Sequence, residues 1–343
     1  MLDMYGLSRV IGEKPGTLPQ RAERLDPSLP LRSGEVLIDV ERLNVDSASF
    51  RQLEREVGCD AARVSEAISR LVRTRGKLHN PVTGSGGMLI GRVREVHADH
   101  PQAKSLQPGT RIATLVSLTL TPLQLDEIRQ VDLQTEQVSV RGHAILFASG
   151  LFAVLPNDIP ERLALGVLDV CGAPALTARL AQPGMNVLVI GAGKSGALCL
   201  AQARRSLKGK GKLIALDVSA AALEALENAR LCDASVKMDA TLGVDVMHAV
   251  SKATDGKMAD LVINCASVAQ TEMASILSVR SGGTLLFFSM ATSFTAAALG
   301  AEGVGKDVTL LIGNGYVPGH AELALDLLRG EPQLRVLFET RYA

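Results

Sequence analysis

The stretch Asn186-Val-Leu-Val-Ile-Gly-Ala-Gly-Lys-Ser-Gly196 decides the fold. Its apolar half, Val187 to Ile190, has the composition of a strand covered on both faces of a parallel sheet. Gly191, Gly193 and Gly196 follow at the spacing of a dinucleotide-binding turn, and a helical pattern over 197–207 comes next. Each glycine has a physical task. The first permits the tight turn, the second lets the backbone approach a pyrophosphate, and the third lets helix and strand pack closely. The pyrophosphate would rest on the unpaired N–H groups at the helix N-terminus. Gly191, Gly193, Lys194, Ser195 and Gly196 are therefore candidate cofactor contacts.

Glycine-rich turns also end ordinary strands, so context matters. A second strand pattern, 212–216, runs into Asp217, about 20 residues beyond Gly196. An acid there accepts hydrogen bonds from the adenosine ribose hydroxyls and repels a 2′-phosphate. No arginine follows within 218–223, so NAD is favoured over NADP. Lys194-Ser195 matches the end of an ATPase phosphate loop, but the preceding glycine is too close for the GxxxxGK[ST] spacing.

The length of 343 residues allows two domains with ample core. Lysine plus arginine equals aspartate plus glutamate at 36 each, which argues against nucleic acid or an acidic membrane as the main partner. No apolar run reaches the length of a membrane span, and no basic-then-apolar signal segment opens the chain. The five cysteines are scattered and lack paired metal spacing. Cys199 and Cys265 fall within helix and strand patterns and read as small buried hydrophobes. These features together predict a cytoplasmic enzyme.

Residues 1–32 are irregular and rich in proline and glycine, and read as a surface arm or domain edge. Residues 34–43 alternate as a strand, and 50–75 carry a helical face through Leu53, Val57, Ala61, Val64, Ala67, Ile68 and Leu71. The glycine-rich run 76–91 suits a wall beside a ligand. Residues 88–96 then begin a series of short strands that continues to Val154. At Pro156 the pattern changes. Helical candidates cover 163–170 and 173–180, and strands at 187–190, 212–217, 235–238, 260–264, 284–289 and 308–313 alternate with helices such as 219–229 and 271–278. Six parallel strands with right-handed crossovers make a doubly wound sheet, expected in the order 3-2-1-4-5-6. The tail predicts a helix over 322–329 and a final strand over 334–339, with 316–343 packing back on the first domain.

A β-rich domain followed by a dinucleotide domain resembles the medium-chain dehydrogenase/reductase superfamily. Residues 34–40 resemble its early barrel strand, Leu106-Gln-Pro-Gly-Thr-Arg-Ile112 its turn before a strand, 182–193 its cofactor entry, and Ser281-Gly-Gly-Thr-Leu285 its late strand. The resemblance implies an α/β fold: a GroES-like β-rich catalytic domain (1–155) plus a Rossmann domain (156–315). It also implies a homodimer formed by edge-to-edge extension of the cofactor sheet. Zinc-dependent members place a cysteine and a Gly-His-Glu where this chain has Asn44-Val-Asp46-Ser47 and Thr83-Gly-Ser85-Gly-Gly87, and their structural cysteine loop is missing. No metal is expected, because zinc needs three or four suitable ligands.

More narrowly, the run Asn44 to Phe50, the run His79 to Gly91 and the segment 19–26 are similar to the 3,5-diaminohexanoate dehydrogenase family. That resemblance implies NAD-dependent oxidative deamination of L-erythro-3,5-diaminohexanoate to 5-amino-3-oxohexanoate with release of ammonia, as in lysine fermentation. It also places several side chains near the nicotinamide. Asp46 is either the acid that binds or deprotonates an amine or a turn cap, with Ser47 beside it. His79 is either a base or proton relay, its ordinary pKa lying in the working range, or a structural histidine. Thr83 and Ser85 orient water or amine, or satisfy turns. Lys77 is a carboxylate clamp or a solvated surface cation. Asp169 is a weaker alternative acid. Cys265 and Ser289, at the ends of two strand candidates, join the cofactor contacts. His97, His100, His248 and His320 sit in surface-like contexts and receive no role. The rival readings are a zinc-independent enone, quinone or alcohol oxidoreductase of the same fold, and a non-catalytic dinucleotide-binding paralogue.

Overall fold

The computed structural model describes residues 2–80, 84 and 86–342, with the backbone alone for Ser47, Ala48 and Tyr342. The chain divides between Leu165 and Gly166 into two compact units, somewhat beyond the change of pattern at Pro156. Among the described residues no single helix is long and apolar enough to cross a membrane.

In the first unit, β1 (Val10–Ile11) pairs with β2 (Arg24–Leu25). There follow β3 (Val36–Asn44), α1 (Ser47–Val57), α2 (Ala61–Arg75), β4 (Met88–Val96), β5 (Arg111–Thr114), β6 (Leu123–Asp132), β7 (Gln137–Leu146) and β8 (Phe152–Val154). Strands β3 to β8 form one antiparallel sheet in the order β6-β7-β3-β4-β5-β8. Alternation along β3 sends Val36, Ile38 and Val40 into a core with Leu89, Ile112 and Val138, against which α1 and α2 lay Phe50, Leu53, Val64, Ile68 and Val72. The helical face expected over 50–75 is buried at Leu53, Val64, Ala67 and Ile68, but it belongs to two helices, and Ala61, at the start of the second, is exposed. Gly58 at φ +84° ends α1, and Asp60 caps α2 by accepting from the Ala62 and Arg63 N–H groups.

The N-terminal arm has little regular structure, as expected, yet two buried cations pin it. Arg9 is fully buried and donates Nε to Glu35 Oε1 at 2.7 Å and Nη2 to Pro30 O at 3.1 Å, with Nη1 on Ser28 O at 2.5 Å. Lys77 corrects both readings of it: it is neither a solvated cation nor a carboxylate clamp. Its side chain is fully buried, and Nζ donates to Pro19 O at 2.8 Å and toward Gln20 O at 3.5 Å. The hydrophobic stem and the two carbonyls place the amine inside, where no sequence pattern around Gly76 signals burial.

The second unit contains the end of α3 (Glu161–Leu168), which begins in the first, then α4 (Gly172–Leu180), β9 (Asn186–Ile190), α5 (Lys194–Leu207), β10 (Lys212–Asp217), α6 (Ala220–Asn228), β11 (Ala234–Lys237), α7 (Gly243–Ala253), β12 (Ala259–Asn264), α8 (Glu272–Ser278), β13 (Val279–Phe287), α9 (Phe294–Gly303), β14 (Val308–Ile312), α10 (His320–Gly330) and α11 (Pro332–Tyr342). The parallel sheet runs β11-β10-β9-β12-β13-β14, which is the expected 3-2-1-4-5-6 order with its switch point between β9 and β12. The final strand expected over 334–339 is instead part of α11. Pro332 stands in its first turn, and Leu334 and Phe338, buried at an i, i+4 spacing, form its inner face while Val336 is exposed. The tail was expected against the first domain. Here α10 packs on α4 and α5, and α11 on α5 and α10, all within the second unit.

Burial lowers the Lys77 pKa to about 8, with the Arg75 cation adding to the effect and Glu13 opposing it. In the unfolded chain the amine stays protonated up to its ordinary value near 10.5. Between these two values the unfolded chain binds more protons, so the first unit gains stability as pH rises through the window and loses it as pH falls toward 8. The urea midpoint of the wild type, compared with Lys77→Met at about pH 8 and about pH 10, should shift in favour of the wild type at the higher pH. A difference independent of pH refutes this.

Candidate active site

The glycine turn of the second unit has the geometry that its spacing predicts. Gly191 takes φ +98°, where a side chain is strained, and its N–H donates to Leu216 O at 2.8 Å. A Cβ on Gly196 would lie 1.8 Å from Gly191 O, so only glycine lets α5 seat this close to β9. A Cβ on Gly193 would meet nothing within 4 Å. Open space thus flanks the backbone where α5 begins, and the first turn of a helix points its N–H groups toward such a space, as an anion requires.

Asp217 closes this corner. Its Oδ2 accepts from the Ala192 N–H at 2.7 Å and its Oδ1 from the Ser219 N–H at 2.8 Å. Each carboxylate oxygen keeps a lone pair for a ribose hydroxyl. Lys194, at the first turn of α5, places Nζ 3.0 Å from Asp169 Oδ2 in a largely buried ion pair. Asp169 is thereby tied to the cofactor turn and is not a free acid. Ser195 follows in the first turn of α5. Cys265 joins the same end of the sheet, donating its N–H to Ile190 O at 2.8 Å. Its thiol lies 3.9 Å from that of Cys199; that contact and burial push its pKa up and hold it protonated. The Ser289 N–H reaches Asn264 O at 3.2 Å, and its hydroxyl accepts from the Ala291 N–H at 3.1 Å.

Sequence reasoning missed Asn264. It is buried at the end of β12, donates to Thr271 Oγ1 at 2.8 Å and to Ser275 Oγ at 3.0 Å, and accepts from the Ala266 N–H at 3.1 Å. This network shapes the loop that carries Cys265 and Ala266 past Gly191. The only local signal was a polar residue closing an apolar strand. The N–H cluster, Lys194 and Asp217 together fit a dinucleotide: anion sites for a pyrophosphate and an acceptor for a ribose.

The first unit holds a separate cavity of about 80 Å³. Val45, Leu53, Leu71 and Leu78 supply apolar walls; Ser49, Gln52 and Glu56 come from α1, and His79 and Asn80 from the segment after α2. His79 Nδ1 is buried and makes no hydrogen bond among the described residues. Burial, then the Lys77 and Arg75 cations, hold the imidazole below its ordinary pKa. Asp46 is the N-cap of α1, accepting from the Ser49 N–H at 3.0 Å and from the Ser49 hydroxyl. That hydroxyl-bearing side chain lines the cavity with His79, so the Asp46 cap and His79 border one space through Ser49.

Ser47 opens α1, but its side chain, like Thr83 and Ser85, lies outside the described residues. Two of the histidines read as surface-like are in fact buried. His100 Nδ1 accepts from the Gln102 N–H at 3.1 Å, and the His320 ring meets Tyr316 edge-on at 5.3 Å. Among the described residues no group of three or more His, Cys, Asp and Glu side chains could hold a metal ion.

Comparison with known proteins relates both units to oxidoreductases. Residues 8–156 match the family model described as the L-erythro-3,5-diaminohexanoate dehydrogenase N-terminal domain. The L-erythro-3,5-diaminohexanoate dehydrogenase of Acetoanaerobium sticklandii is 49% identical over 339 residues, covering 98% of each chain. The protein of the same name from Fusobacterium nucleatum is 49% identical over 345 residues, again covering 98% of each. Among solved structures, mycobacterial Rv1454c complexed with NADPH superposes with a TM-score of 0.59 at 18% identity, over 94% of each chain. At that identity the likeness speaks for the fold alone: a GroES-like domain joined to a Rossmann domain. With relatives this similar along nearly its whole length, the chain belongs to the L-erythro-3,5-diaminohexanoate dehydrogenase family.

Proposed function

We propose that this protein catalyses the NAD-dependent oxidative deamination of L-erythro-3,5-diaminohexanoate to 5-amino-3-oxohexanoate and ammonia. The observation that carries the reading is the 49% identity to two dehydrogenases of that name over 98% of the chain, which spans the glycine turn and the His79 cavity alike. A nicotinamide dinucleotide would supply the hydride acceptor. The N–H groups from Gly193 to Gly196 and the Lys194 cation would hold its pyrophosphate, and Asp217 would accept from its ribose hydroxyls. Asp217 would repel a 2′-phosphate, which favours NAD over NADP.

The reacting amine must be neutral before its carbon loses hydride, because its lone pair forms the C=N bond as the C3–H bond breaks. His79 is suited to take that ammonium proton. Its buried Nδ1, without a partner among the described residues, is an acceptor in one tautomer, and burial with the neighbouring cations favours its neutral form. Water then adds to the C3 iminium carbon; the C–N bond breaks and ammonia leaves, with the oxygen retained as the ketone. Asp46 and Ser49, bonded to each other, border the same cavity through Ser49 and can steady the amine or the water. A homodimer built by pairing the edge strands β14 of two copies belongs to the same reading.

Incubation of the purified protein with NAD and the diamino acid should yield NADH and ammonia in equimolar amounts, with simple alcohols and enones giving neither. Absence of NADH with the diamine refutes the reading. Asp217→Ala should raise the KM for NAD roughly tenfold and narrow the NAD/NADP preference in steady-state kinetics; an unchanged preference counts against the role of Asp217. His79→Ala should lower kcat about 100-fold or more while calorimetry finds NAD affinity near wild type. Turnover within a factor of two or so of wild type removes His79 from the proton path.

A further inference from the structure

Residues Ser49, Gln52 and Glu56 recur every three or four positions on α1, so one helix face presents all three to the cavity that His79 enters. Gln52 Nε2 donates to Glu56 Oε1 at 2.9 Å, which aims the carboxylate along that face. Glu56 is exposed at the rim and has no ion pair among the described residues. Behind it the walls turn apolar at Leu53, Leu71 and Leu78. The cavity therefore offers one anion, one imidazole and a greasy floor.

The substrate of the proposed reaction presents a matching set of groups. Its C3 amine must lose a proton, whereas its C5 amine stays an ammonium and needs an anion. The C5 carbon also carries a methyl group, which gains by leaving water. The C1 carboxylate would be repelled by Glu56, so the two ends of the molecule are not interchangeable in this cavity. We infer that Glu56, oriented by Gln52, binds the C5 ammonium group while the terminal methyl lies on the leucine floor. This anchoring decides that C3, and not C5, is oxidised. It rests on the deamination reading above and adds the residues that select a diamino acid over a monoamino acid. Glu56 touches the substrate; Gln52 acts through Glu56 and is a positioning residue.

The test compares kcat/KM for 3,5-diaminohexanoate with that for 3-aminohexanoate, which lacks the C5 amine. Where turnover of the monoamine is too slow to follow, its competitive inhibition constant replaces kcat/KM. In Glu56→Gln the preference for the diamine should fall about 10- to 100-fold, the range of a lost charge-assisted hydrogen bond, and mainly through KM. Gln52→Ala should move the preference in the same direction by a smaller factor. Equal losses on both substrates, or an unchanged preference in a variant whose circular dichroism matches wild type, overturn the subsite. A wild-type protein that oxidises the diamine while Glu56→Gln keeps its preference overturns the subsite alone. A wild type that forms no NADH from the diamine overturns the deamination reading and the subsite with it.

Discussion

The second unit depends on the contact between the start of α5 and the end of β9. A Cβ at position 196 would fall 1.8 Å from Gly191 O, well inside any allowed separation. With glycine there, the helix seats on the strand, its first N–H groups face open space beside Gly193, and Asp217 closes the corner through the Ala192 N–H. The sheet order follows the same geometry, because β10 and β12 flank β9 on opposite sides and leave the switch point at the turn. Lys194 would meet the positive end of the helix dipole alone without Asp169, and the pair offsets that cost.

In the first unit the comparable constraint is burial of two cations. Arg9 and Lys77 are both fully buried, and each satisfies its donors largely with backbone carbonyls of the arm that precedes β3. Arg9 also has Glu35, and removing one partner of such a buried pair typically costs about 3–5 kcal/mol. Among the described residues Lys77 forms no ion pair, so its charge is expensive and its pKa falls. Two residues later, His79 feels that cation as well as its own burial. The arm and the histidine are thus coupled: the lysine that ties down residues 19 and 20 also helps keep the imidazole neutral.

These two arrangements divide the proposed chemistry. Main-chain N–H groups and a carboxylate would hold the dinucleotide, while an apolar cavity with a base and one carboxylate would sort two amines of one substrate. The amines differ only in position, so discrimination has to come from where each charge is tolerated. On that proposal a proton would be removed where the cavity disfavours cations, beside Lys77 and Arg75, and retained where Glu56 stands at the rim.

How much was legible in the sequence depended on whether the cause was local. The strand–turn–helix around Gly191, the acid at position 217, the strand order and the β-rich character of the first domain all follow from periodicity, glycine spacing and short-range sterics, which a linear reading contains. The break at Gly58, the cap role of Asp46 and the helical state of 332–342 are decided by local alternatives close in free energy, and packing selects among them. Leu334 and Phe338, for instance, read as strand residues until the face they bury is known. The burial of Lys77, the tie between Asp169 and Lys194 and the convergence of Glu56 with His79 join residues far apart in the chain. By itself the sequence determined the cofactor turn and the two-domain plan, because backbone geometry and side-chain period act over a few residues. The tertiary structure alone decided which charges are buried and which side chains share a cavity, because desolvation and contact arise only when distant segments meet.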